Sequence, residues 1–249
     1  MVEASTSIVK ELAPTGVVRA AINLGNIVLA QQEQQESSTG TLRGVSVDLT
    51  WALAARLGVK AELFPFDTAS RAFAALRAGS CDVGFLAIDP ARAVDLIFTP
   101  PYVIIEGTYL VAHASPLRTI DDLDRQGVRI AAGQNTAYDL HLTRNLKNAT
   151  LVHAPSSLAA IDLLLEGRAD AAAGVRQPLV ATAAAKSGFR VLDGGFMAIE
   201  QAMALPNGRP EAARFLKAFI EDMKASGFVA AALKASGQGE AEVAPPHLG

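Results

Sequence analysis

Nine short runs rich in aliphatic residues are separated, almost from end to end, by stretches in which apolar residues recur at helical spacing. That alternation is the pattern of an α/β fold with mainly parallel sheets, because parallel strands need a long crossover and a helix is the usual one. The strand-like runs are VVRAAI (17–22), VKAELFPF (59–66), CDVGFLAI (81–88), TYLVAH (108–113), VRIAAG (128–133), ATLVHA (149–154), ADAAAGV (169–175), FRVLDG (189–194) and AMALP (202–206). Between them, VDLTWALAARLG is expected to bury Val47, Trp51, Ala54 and Ala55, and SLAAIDLLLEG to bury Leu158, Ile161, Leu164 and Leu165. Gly58 and Gly167 close these two helices. The polar run QQEQQESSTG (31–40) is expected as a surface loop, and the tail QGEAEVAPPHLG as a frayed end.

A helix, a glycine and, three residues on, an aspartate opening a strand occur twice, around Gly79 and Asp82 and around Gly167 and Asp170. Two similar lobes would produce such an echo, and so would chance. If there are two lobes, IIEGTYLVAH (104–113) and FMAIEQAMALP (196–206) are the extended segments that cross between them. The expected division is a first lobe over 1–107, a second over 108–200, and a return to the first over 201–249. In the return, Ala213, Leu216, Phe219, Ile220 and Met223 share one helical face.

Composition narrows the function classes. Of 249 residues half are apolar, so a sizeable core is available, and the net charge of −3 with scattered Lys and Arg excludes a nucleic-acid groove. No apolar run approaches the roughly 20 residues that span a bilayer, so no membrane insertion is expected. Cys81 lies in an apolar run and reads as a buried structural thiol. His113, His141, His153 and His247 do not stand at metal-ligand spacing, and no phosphate loop, Gly-x-Ser-x-Gly or Gly-x-Gly-x-x-Gly occurs. No metal, cofactor or catalytic residue is therefore expected. The start, MVEASTSIVKELAP, lacks the pattern of a secretory signal. The expected compartment is the periplasm if Met1 replaces a removed signal peptide, and the cytoplasm otherwise.

Ligands of parallel sheets bind beyond the carboxyl ends of the strands, where loops and helix N-termini gather. That rule selects Asn23 and Asn26 after the first strand, Asp89 and Arg92 after the third, Gln134, Asn135 and Thr136 after VRIAAG, and Arg176 and Gln177 after ADAAAGV. Two arginines among amides and a hydroxyl suit a small anion. The fork of Arg92 matches a carboxylate, though an arginine here also serves as an ordinary turn cap. Thr136 has both readings too, since a capped helix N-terminus still presents N–H groups to an anion.

The order of these motifs resembles the solute-binding proteins of polar amino-acid ABC transporters, family 3, with the type II periplasmic-binding-protein fold. The resemblance runs through LRGVSVDLTWALAARLGVKAELFPFD, then ALRAGSCDVGFLAIDPARAVDLIFTPPY, and ends with RPEAARFLKAFIEDMKASG. It implies two lobes, each a mainly parallel sheet flanked by helices, joined by two hinge crossings. It implies a monomer that captures a small carboxylate-bearing ligand, amino acid-like or organic acid, between the lobes and passes it to a membrane permease driven by an ATPase. Arg92 then stands where the family grips a ligand α-carboxylate, and Asn135 and Thr136 stand in a loop that donates to the same group, with Asn135 in place of glycine and Ala137 in place of a second hydroxyl. The chain departs from the family pattern at Asp89, usually Thr, and at Phe85 and Ala87, often Ser or Gly. It departs again after ADAAAGV, where an aspartate usually meets the ligand ammonium and this chain has Val175, Arg176 and Gln177. An unpaired ammonium would be costly, so the ligand is expected to differ from a standard α-amino acid unless Asp89 or Glu200 supplies the carboxylate. The alternatives are a cyclohexadienyl-dehydratase-like enzyme using Asp89 or Glu200 as an acid, and a cytoplasmic ligand sensor.

Overall fold

The structure, a computed structural model, describes residues 5–33 and 40–247. It divides into two units, Met1–Ile104 with Glu200–Gly249, and Ile105–Ile199. The chain leaves the first unit within one strand and re-enters it within another.

The first segment carries α1 (Thr6–Leu12), β1 (Val17–Asn23), β2 (Gln31–Gln32), β3 (Leu42–Arg43), α2 (Val45–Leu57), β4 (Lys60–Phe66), α3 (Ala69–Arg77), β5 (Val83–Ala87), α4 (Pro90–Ala93) and β6 (Leu96–Phe98). The crossing strand β7 (Val103–Ala112) opens the second unit, followed by β8 (Arg129–Gly133), α5 (Ala137–Asn145), β9 (Thr150–Ala154), α6 (Ser157–Leu165), β10 (Ala171–Val175), α7 (Arg176–Ala185) and β11 (Phe189–Val191). The second crossing strand β12 (Met197–Pro206) returns to the first unit, which ends with α8 (Pro210–Ala225), α9 (Phe228–Ala235) and β13 (Glu242–Val243).

In the first unit β1 lies between β4 and β5 in parallel, and β12 adds antiparallel to β5, pairing Gln201 with Ala87. In the second, β8 lies between β9 and β10 in parallel, and β7 runs antiparallel to both β10 and β11. The carboxyl ends of β1 and β5 thus gather at one end of the first sheet, and those of β8, β9 and β10 at one end of the second.

The two echoed stretches have matching geometry. In the first unit Asp82 accepts from the Arg19 backbone N–H, Nε and Nη2 at 3.2, 2.9 and 2.8 Å, while Arg19 Nη2 also reaches Gly79 O. In the second, Asp170 accepts the same three bonds from Arg129 at 2.8, 3.1 and 2.9 Å, and Arg129 reaches Gly167 O. Both glycines are left-handed, with φ +70° and +72°, as the exit from a helix into a strand requires. The environments differ: the Asp82 carboxylate is fully buried and receives a second arginine, Arg209, whereas that of Asp170 is 37% exposed. The Arg129 fork holds the Asp170 carboxyl below its ordinary range.

Three expectations need correction. Trp51 is 48% exposed and Ala55 is exposed, because the buried face of α2 runs through Ser46, Thr50, Leu53 and Leu57. Thr50 Oγ1 donates to Ser46 O and the Ser46 hydroxyl lies 3.4 Å from the Tyr102 hydroxyl, so two polar residues are satisfied inside. Leu158 is also exposed, since α6 rests on the sheet through Ala160, Ile161 and Leu164. The tail is held over its described residues, since Glu242 and Val243 pair with Ile104 and Val103 and the Ala244 N–H donates to Tyr102 O, while residues 248–249 lie outside the described residues. Of the polar run 31–40, Gln31 and Gln32 form β2, and residues 34–39 lie outside the described residues.

Candidate functional site

All five residues of β5 are buried, and the chain beyond it turns sharply. Asp89 caps α4, its Oδ1 accepting the Ala91 N–H at 2.9 Å, and Pro90 fills the first helical position, where no N–H is needed. One turn later Arg92 folds back onto the strand it followed, and Nη1 donates to Ala87 O at 3.0 Å. Both charged residues are buried, Arg92 at 4% exposure and Asp89 at 3%. Burial pulls the Arg92 guanidinium down to about 10, partly opposed by the Asp89 charge, which leaves it cationic at neutral pH.

The other first-unit candidates stand at or after the end of β1, on β5 and on β12. Asn23, at the end of β1, is 7% exposed and its Oδ1 accepts the Gly25 N–H. A Cβ on Gly25 would come within 2.7 Å of Asp67 O, so this turn admits glycine. Asn26 makes a similar local turn, accepting from the Val28 N–H. Phe85 is fully buried, edge-on to Tyr102, while Ala87 contributes its carbonyl to Arg92. Glu200 is exposed, and its carbonyl accepts the Ile88 N–H that continues the β5–β12 ladder.

In the second unit, β8 ends at Gly133, where a Cβ would lie 2.7 Å from the Ser157 N. Gln134 follows, exposed, then Asn135 with φ +59°, the one described residue other than glycine in the left-handed region. Asparagine tolerates that conformation better than other L-residues, which accounts for its standing where the family pattern has glycine. Thr136 caps α5, accepting the Asp139 N–H at 3.2 Å and donating to Gly133 O at 2.8 Å. The Asp139 carboxylate closes the loop: Oδ2 accepts the Asn135 N–H at 2.8 Å and Oδ1 meets His153 Nδ1 at 2.7 Å.

Arg176 opens α7 directly after β10. It is bonded to Glu106, with Nη1 on Leu192 O at 3.3 Å and Nη2 on Gly194 O at 2.8 Å. Gln177 is half-buried, and its Oε1 has no hydrogen-bond partner among the described residues. The structure therefore gathers Asn23, Asn26, Ala87, Asp89 and Arg92 at the carboxyl ends of β1 and β5. Within the second unit, Asn135, Thr136, Arg176 and Gln177 stand at the ends of the adjacent strands β8 and β10. Asp139 and His153 were not among the candidates. The signal for Asp139 was present as Thr-x-x-Asp opening a helix; none marked His153.

Residues 30–235 match the family model of the bacterial extracellular solute-binding proteins, family 3. The chain belongs to this family. Among solved structures, the family 3 fold seen here is similar to an amino acid ABC transporter substrate-binding protein, AbpA, from Streptococcus pneumoniae bound to L-arginine. The TM-score is 0.79 at 19% identity, over 94% of this chain and 99% of that one. It is similar also to AncCDT-1, an ancestral amino acid-binding protein described as a precursor of cyclohexadienyl dehydratase, with TM-score 0.75 at 24% identity over 93% and 99% of the two chains. A curated relative, the virulence sensor protein BvgS of Bordetella bronchiseptica, is 31% identical over 129 residues. That stretch is 51% of this chain and 10% of the relative, so this family 3 chain spans a small part of that protein. Among the described residues no helix is long and apolar enough to cross a membrane.

Proposed function

We propose that this chain is a solute-binding protein that takes a small carboxylate-bearing ligand, with Arg92 as the anchor, and delivers it to an ABC permease outside the cytoplasmic membrane. The observation that carries the reading is the cationic guanidinium of Arg92, buried at the carboxyl end of a parallel strand in a family 3 protein. A guanidinium in that setting gains from a bidentate, charge-assisted partner. Within the second unit, the turn at Asn135 and Thr136 is a further proposed anion-binding element, because the positive end of the α5 dipole lies there. On the ammonium side, Val175 carries no charge and Arg176 is already bonded to Glu106. The ligand class this favours is an organic acid, or an amino acid whose ammonium is met by Asp89 or Glu200.

The test is a thermal-shift screen of the protein and its Arg92→Ala variant against pairs of acids matched with and without an α-amino group, L-arginine and L-lysine included. A ligand at about 100 times its Kd adds roughly 2.7 kcal/mol of stability. Stabilisation of the wild type by carboxylates, lost in the variant, is the expected result; equal stabilisation of both removes Arg92 from the reading. If α-amino acids alone stabilise, the ligand class shifts to them and Asp89 and Glu200 are mutated next. Binding without turnover is expected, and product from prephenate would reverse that.

A second reading, a ligand-sensing module, is favoured by the likeness to part of a virulence sensor. Deleting the gene separates the two: loss of ligand uptake supports transport, and intact uptake with an altered transcriptional response supports sensing.

A further inference from the structure

The loop that opens α5 is fastened from an unexpected side. Asp139 is 2% exposed, and both of its oxygens are engaged, one by the Asn135 backbone and one by a ring from β9. The register of the sheet brings that ring there, because β8 and β9 pair Ala132 with His153 and Gly133 with Ala154. A second tie across the same strands, Gln134 N–H to Ala154 O at 2.8 Å, fixes the start of the loop. We propose that Asp139 and His153 are positioning residues for the Gln134–Thr136 loop, and that protonation of His153 is transmitted to the Asn135 amide and to the affinity of this loop for anions. The binding half of this inference rests on the function proposed above.

A carboxylate only accepts hydrogen bonds, so the neutral His153 ring donates through Nδ1–H, and Nε2 is the nitrogen that titrates. The side chain is 48% exposed, so protons reach it, while its partner's carboxylate is 4% exposed and keeps its geometry. With His153 neutral, the pair places one negative charge in the first turn of α5. That charge suits the helix dipole and opposes a ligand anion at the same turn. With His153 protonated, the pair is neutral and the opposition is relieved. The charge on Asp139 is then shared more strongly with the imidazolium, which weakens its hold on the Asn135 N–H.

The elements packed on β9 are β8, α5 and α6. Their charged or titratable groups are Arg129 on β8, Tyr138, Asp139, His141 and Arg144 on α5, and Asp162 on α6; the Tyr138 hydroxyl is bonded to Ser157, and burial pushes it up, away from this pH range. Arg129 is committed to Asp170, Asp162 is exposed, and the hydrogen bond of His153 is to Asp139. His141 and Arg144 are retained in every variant below and form a common background.

The experiment uses the full chain, 15N-labelled and without ligand, observed by NMR from pH 8 to pH 5.5. The Asn135 amide is expected to move with the same midpoint as the His153 ring nitrogens. In His153→Asn, whose side-chain amide replaces the Nδ1–H donor without titrating, the pH response disappears and exchange protection of the Asn135 N–H stays within about twofold. In Asp139→Ala that protection falls about tenfold or more. An Asn135 amide that ignores His153, or one that still titrates in His153→Asn, overturns the proposal, and the latter variant decides even if Asp139→Ala does not fold.

Calorimetry with L-arginine and L-lactate, both carrying a fully ionised carboxylate over this range, gives the binding half. Affinity is expected to rise severalfold from pH 8 to pH 5.5 in the wild type and stay flat in His153→Asn. A pH-independent affinity with the NMR coupling intact refutes the link to binding. If neither acid binds but the coupling is present, the dyad stands and the ligand reading of the loop falls.

Discussion

Replacing Asp82 and Asp170 with asparagine, one at a time, asks whether burial sets the contribution of an ion pair when its geometry is held constant. Each carboxylate takes the same three bonds from one arginine of a neighbouring strand. Asp82 is fully buried between Arg19 and Arg209, whose side chains are 23% and 19% exposed, so its loss leaves two cations with little water to replace it. Breaking such a pair from one side costs about 3–5 kcal/mol. Asp170 is 37% exposed and Arg129 44%, so solvent takes over most of the interaction and the cost is about 1 kcal/mol. Urea unfolding followed by two probes reads the difference. Trp51, the single tryptophan, reports on the first unit alone, and far-UV circular dichroism reports on both. With an m-value of about 2.5 kcal/mol per M, Asp82→Asn lowers the tryptophan midpoint by roughly 1–2 M, whereas Asp170→Asn lowers the dichroism midpoint by about 0.4 M. Equal shifts, or a larger one for Asp170→Asn, would refute the reasoning.

Three further outcomes are expected. Burial pushes the Cys81 thiol up to about 11, so a thiol-specific disulfide reagent at pH 8 should leave the native protein unmodified and label it on unfolding; fast labelling of the folded protein would contradict the burial. Because the folded Asp170 carboxyl is held below its unfolded value near 3.8, its contribution is present above that pH and lost as pH falls through the lower folded value. The acid limb of Tm against pH below about pH 4 should accordingly be shallower in Asp170→Asn than in the wild type. At Asn135, Ala should be less stable than Gly by about 1 kcal/mol, since both lose the side-chain amide but only Ala carries a Cβ in the left-handed region; equal stability of the two variants would show that the conformation is not required.

How much of this was legible in the sequence depended on the range of the interaction. Strands such as Val83–Ala87 announce themselves because every residue is buried and apolar. The three-residue β6 and two-residue β13 do not, since they exist only through partners distant in sequence, β12 and β7. The face of α2 was misread because Ser46 and Thr50 look like solvent-facing residues until Tyr102 and the Ser46 carbonyl are brought to them. Arg92 could be singled out by its place after a buried run, but its return onto Ala87 depends on the turn that Asp89 and Pro90 impose. His153 could not be singled out, because nothing but the β8–β9 register brings it to Asp139.

The pairing of β13 with the first residues of β7 bears on the order in which this chain matures as it is synthesised. The second unit is one continuous segment and holds all of its strand partners once residue 199 has been added. The first unit is assembled from segments on either side of the second, and Ile104 and Val103 wait for Glu242 and Val243, which are made only after the whole of the second unit. On a ribosome the second unit therefore has its strands in hand before the first, and residues made ahead of it are covered only after it is finished.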